Sequence, residues 1–204
     1  MKYRVLGFPS YLVFTPDGSL ALKLTGYTED PSEFVTQIKT AFDESQRPAY
    51  PLKLSESVTF PSFYTSSFTN KNREEKRADP KAGEVDAWLS EQEDLMSVPA
   101  WSVFYRFGSS DSNNSRFLEN RKAYTKLYGT TEVEDKVNSI AYGKVRAAME
   151  SLKEADLTRA LEFADKYMKE PEQSKMFYRL RFSEAKGDWK QYVRDAQLII
   201  DHYK

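Results

Sequence analysis

Val5-Leu6-Gly7-Phe8-Pro9-Ser10-Tyr11-Leu12-Val13-Phe14 is the stretch whose reading decides the fold. A residue before proline is held in extended geometry, so Phe8-Pro9 reads as a loop feeding the apolar run Tyr11–Phe14. Thr15-Pro16-Asp17-Gly18 then has turn chemistry: proline presets φ, and glycine accepts a positive one. Leu20, Leu22 and Leu24 alternate along the next run, placing them on one face of a strand. Two strands about a short turn make a β-hairpin. Beyond Gly26-Tyr27, Asp30-Pro31-Ser32-Glu33 reads as a helix start, with Asp30 as N-cap, Pro31 as first helical residue and Glu33 as the return arm of a capping box. Phe34, Val35, Ile38, Ala41 and Phe42 are expected to form its apolar stripe, giving a helix over 31–42.

A Gly-X-Pro loop, strand, turn, strand and helix in this order resembles the C-terminal half of a thioredoxin-like domain. The residues that carry the resemblance are Tyr3, Val5, Gly7-Phe8-Pro9-Ser10, Asp17-Gly18, Gly26 and the helix from Pro31 to Phe42. They cover about a fifth of the chain. In that family the proline of this loop is cis, faces a Cys-X-X-Cys pair, and the backbone before it pairs with an extended substrate peptide. The resemblance therefore implies a substrate-binding role for Phe8 and Pro9, and a cysteine pair upstream of this chain. Read without it, Pro9 is an ordinary trans loop proline before a buried strand.

The chain has 204 residues and no cysteine. It therefore lacks a thiolate nucleophile, a disulfide or a thiolate metal site, and no catalytic residue is assigned. The single histidine, His202, leaves little material for a triad or an imidazole metal site, and neither metal nor cofactor is expected. A net charge of −1 gives no electrostatic reason to expect nucleic acid. No apolar run is long enough to span a bilayer. Met1-Lys2-Tyr3 leads directly into strand-like sequence, so no signal peptide is read, and the compartment is left open; the resembled family is usually periplasmic or cell-envelope.

Composition divides the chain into a half-domain at 1–45, a linker and irregular segment at 46–83, and a helical domain at 84–204. Within the linker, Phe60, Phe63, Tyr64 and Phe68 read either as a peptide-binding platform or as a satellite core under a loop. The charged run at 70–83 has mixed signs and reads as a solvated loop. Val85, Trp88, Leu89, Leu95 and Met96 restart the helical period, Trp101, Phe104 and Tyr105 continue it, and the Ser/Asn-rich segment 108–115 reads as a surface loop. Thr131-Glu132-Val133-Glu134 looks like a second capping box. It leads into a long stripe, Val133, Val137, Ile140, Ala141, Val145, Ala148, Met149 and Leu152. Leu157, Ala160, Leu161, Ala164 and Met168 make the next stripe. In the last helix, Trp189, Tyr192, Val193, Ala196, Ile199, Ile200 and Tyr203 fall at helical spacing. The pair of helices about Gly187-Asp188 resembles one tetratricopeptide-like hairpin. Phe63-Tyr64, the segment 85–107 and Arg121-Lys122-Ala123-Tyr124 resemble the helical extension of cell-envelope thioredoxin-family proteins.

The expected class is α+β and mostly α: a partial thioredoxin-like hairpin and helix, followed by a tetratricopeptide-like helical domain. The expected function is that of a non-catalytic fragment or degenerate member of the thiol–disulfide oxidoreductase family. A protein-interaction module using the helical surface is the alternative. A protein or peptide partner is expected, and so is self-association through the unpaired edge of the first strand, since open apolar edges seek partners.

Overall fold

A computed structural model describes residues 2–3, 5, 9–26, 29–43, 47–68, 80–81 and 83–202. The fold is α+β and mostly helical, with one two-stranded antiparallel sheet among the described residues. It divides into two compact units, 1–130 and 131–204.

The first unit begins with the hairpin of β1 (Ser10–Phe14) and β2 (Leu20–Thr25). Ser10 pairs with Thr25 and Val13 with Leu22; Phe14 then pairs with Leu20, leaving Ala21 as an extra residue in a bulge. The turn forms as its residues dictate. Gly18 donates its N–H to the Thr15 carbonyl at 2.9 Å and sits at φ 82°. Asp17 accepts from the hydroxyls of Thr15 and Ser19 and pairs with Lys53 at 3.0 Å.

Helix α1 (Pro31–Thr40) is capped by Asp30, whose carboxylate accepts the Ser32 N–H at 2.8 Å. The helix is shorter than its sequence suggests. Ala41 is its C-cap, and Phe42 lies beyond it, 74% exposed; Val35 is also exposed. Tyr11 meets Phe34 edge-on at 4.9 Å, so α1 packs on the face of the ribbon that carries Tyr11. On the opposite face Phe14 meets Tyr3 at 5.2 Å, Tyr3 meets Tyr50, and Tyr50 meets Tyr128. This aromatic chain joins the ribbon to the helices of the same unit.

Those helices are α2 (Ser62–Ser66), α3 (Glu84–Ser90), α4 (Val98–Arg106), α5 (Asp111–Glu119) and α6 (Arg121–Tyr128). Trp101 is fully buried at their centre, ringed by Phe104, Tyr105, Phe117, Tyr124 and Tyr128. The phenol of Tyr124 donates to the Leu95 carbonyl at 3.0 Å, which satisfies its polar end inside the core. The segment expected as a loop at 108–115 is partly helical: α5 begins at Asp111. Ser110 caps it, and Asp86 of α3 accepts from both the Ser110 N–H and the Asn113 side-chain amide at 2.8 Å. Serine and asparagine act here as cap and anchor, which composition cannot distinguish from a loop.

The second unit holds most of α7 (Thr130–Ser151), then α8 (Glu154–Tyr167), α9 (Pro171–Lys186) and α10 (Trp189–His202). Thr131 lies inside α7 instead of capping it. The expected stripe is buried from Val133 to Ala148, but Leu152 lies outside the helix at φ 56° and 47% exposed. Ala148, Leu157, Leu161 and Phe182 form a buried cluster, joined by Met149 and Tyr178. Gly187, at φ 68°, closes α9, and the Asp188 N–H returns to the Ser183 carbonyl at 3.0 Å. No described helix is long and apolar enough to cross a membrane.

Candidate functional site

Of the two residues assigned to substrate contact, Phe8 lies outside the described residues. Pro9 is exposed at the start of β1, and its carbonyl accepts the Gly26 N–H at 2.9 Å. That bond ties the loop end to the residue where β2 leaves the ribbon. Among the described residues β1 pairs only with β2.

The aromatic segment before α3 packs inward. Tyr64 is fully buried, stacked on Phe60 at 5.0 Å and edge-on to Phe68. Arg106 locks this cluster to α4: its guanidinium donates to the Ser67 hydroxyl at 2.7 Å and carbonyl at 2.8 Å, and lies 4.2 Å over the Phe68 ring. These contacts make the segment a satellite core. The charged run at 70–83 falls almost entirely outside the described residues.

A second candidate lies within the unit 131–204. Glu154, Leu157, Arg179, Phe182, Ser183, Lys186, Asp188, Gln191 and Asp195 line an open cavity of about 340 Å³ between α8, α9 and α10. Its floor is a polar cluster. Asp195 is buried and accepts from the Ser183 hydroxyl and the Gln191 amide, both at 2.9 Å. Lys186 pairs with Glu154 at 2.5 Å across the mouth and lies over the Phe182 ring. Charges of both signs line the cavity, and Leu157 and Phe182 supply its apolar surface. Sequence reading singled out Gly187-Asp188 as a turn but none of these side chains as a site. The available signal was Asp195, a carboxylate between Tyr192 and Ile199 in an otherwise apolar stripe.

Among the described residues no group of acidic or histidine side chains is placed to hold a metal ion. One cation is strongly perturbed: Lys136 of α7 is 2% exposed, and burial pushes its ammonium down to about 7. No family model, curated protein or solved structure matches the chain.

Proposed function

We propose that residues 3–42 are the substrate-side half of a thioredoxin-like domain, and that the parent protein carries out thiol–disulfide exchange. The observation behind this reading is the order and closure of the ribbon. A capped helix follows a hairpin whose first strand starts at Ser10, directly after Pro9, and the Pro9 carbonyl accepts the Gly26 N–H. Exchange requires an attacking thiolate, so a chain without cysteine contributes peptide contact through Phe8 and Pro9 but no electron transfer. In such a domain the upstream half would pair beside β1. The test is to extend the coding sequence upstream of residue 1 and assay insulin reduction. An in-frame Cys-X-X-Cys whose longer product reduces insulin, while the 204-residue chain does not, is the expected result. An upstream sequence without that pair would sink the proposal.

A second reading, that the helical unit binds a segment of a partner protein, is favoured by the cavity between α8, α9 and α10. Amide and side-chain NMR shifts of Gln191 and Arg179 on titration with candidate partner peptides test it. Shifts confined to other surfaces would argue against it.

A further inference from the structure

Asp195 carries a charge that its neighbours do not match. It is 4% exposed, yet it lines the open cavity between α8, α9 and α10. Ser183 donates its hydroxyl to one carboxylate oxygen and Gln191 its side-chain amide to the other, each at 2.9 Å. Both oxygens therefore accept, as those of an ionised carboxylate do, and each keeps an acceptor site unused. Both donors are neutral, and among the described residues Asp195 forms no ion pair. The cations that line the cavity are placed otherwise. Lys186 is bonded to Glu154, and Arg179 is exposed, with no ion pair among the described residues. A buried carboxylate is ordinarily matched by a cation or a metal ion. No group of acidic or histidine side chains among the described residues is placed to hold a metal. The unmatched charge instead borders a space of about 340 Å³, within the size range of ligand pockets.

We propose that this cavity binds a ligand through an alkylammonium group seated on Asp195. The ammonium supplies the positive charge that the carboxylate lacks, and its three N–H donors suit the acceptor sites left on the two oxygens. The methylenes behind it lie against Leu157 and Phe182, the apolar part of the lining. Glu154 and Asp188 are further lining carboxylates, against Arg179 and Lys186, so the lining is net negative and favours entry of a cation. A free aliphatic amine and a lysine side chain of a polypeptide both offer this group. The inference shares its cavity with the second reading above but does not need a polypeptide to fill it.

The test is an NMR titration of the full chain at physiological ionic strength, following the Gln191 side-chain amide, which is bonded to Asp195. The probes are pentylamine, a capped Gly-Lys-Gly tripeptide, and the same tripeptide with its lysine acetylated. The expected result is a saturable shift with at least one of the two amines and none with the acetylated peptide. Asp195→Asn, which keeps an oxygen for the Ser183 hydroxyl, weakens binding at least about tenfold. Arg179→Gln leaves it unchanged or up to about threefold tighter. A lysine peptide that binds at least about tenfold tighter than pentylamine supports the polypeptide reading as well. Equal affinities remove that reading and leave this one standing. No saturable shift with either amine would overturn the proposal. So would an acetylated peptide that shifts Gln191 as strongly as the charged one, a folded Asp195→Asn variant that binds as well as the parent, or a loss of binding in Arg179→Gln. If Asp195→Asn loses its helical circular dichroism, the charged and acetylated peptides compared on the parent chain decide the matter alone.

Discussion

Replacing Lys136 with methionine should remove a rise of stability with pH. Lys136 sits on α7 between Val133 and Val137, each 1% exposed, and is itself 2% exposed. Taking an ammonium out of water disfavours its charged form, and burial brings its pKa from 10.5 to about 7. At roughly 1.4 kcal/mol per pKa unit, holding the charge in the folded state costs at most about 5 kcal/mol. Relaxation and water entry reduce this, so about 2 kcal/mol is the working figure. Methionine keeps the unbranched stem and removes the charge. The sign also fixes the pH dependence. Between pH 7 and 10.5 the unfolded chain binds the proton that the folded chain releases, so this residue makes stability rise with pH across that window. Below pH 7 both states are protonated and its contribution is constant. Urea denaturation followed by circular dichroism at pH 7 and pH 10 measures it. Between pH 7 and pH 10 the parent should gain about 2 kcal/mol relative to Lys136→Met. A difference between the two proteins that is the same at both pH values would refute the reasoning.

Three further outcomes follow from the same contacts. The Tyr3 hydroxyl is buried with no hydrogen-bond partner among the described residues, so Tyr3→Phe should be neutral or raise stability by up to about 1 kcal/mol in urea denaturation; a loss of that size would mean the hydroxyl has a partner. Leu152 sits at φ 56° just past α7 and is exposed, so Leu152→Gly should raise the midpoint of thermal unfolding by relieving about 1 kcal/mol of backbone strain. The hydroxyls of Thr15 and Ser19 and the Lys53 ammonium hold the Asp17 carboxyl well below the usual carboxylate range. A depressed folded pKa adds stability that is present above the unfolded value near pH 4 and is lost as pH falls towards the folded one. The protection factor of the Leu54 amide, which donates to the Gly18 carbonyl, should therefore fall on acidification more than in Asp17→Asn.

The ribbon and α1 were legible in the sequence because their signals are local. A four-residue turn with glycine at its end and an Asp-Pro-Ser start specify conformation within a few residues. Helix α5 was not, because what orders Ser110 and Asn113 is Asp86, more than twenty residues away. The break at Asn120, which separates α5 from α6, leaves no mark in the apolar pattern, since Phe117, Tyr124 and Tyr128 keep a helical spacing across it and all face Trp101. In α10 the apolar period was correctly read, but periodicity says only that a face is apolar and not that anything covers it. The cavity beside it depends on three helices meeting, and no single stretch of sequence carries that information. Lys136 was hidden for a related reason: a lysine among valines reads as a solvated position until the packing around it is known.

On the proposed reading, the chain enters its ribbon through a thioredoxin-like loop at Pro9. The most direct measurement is the difference between the Cβ and Cγ carbon shifts of Pro9 in the isotope-labelled protein, which separates the two isomers of the Phe8–Pro9 bond. The account predicts the wide separation of a cis proline. The narrow separation of a trans proline would contradict it.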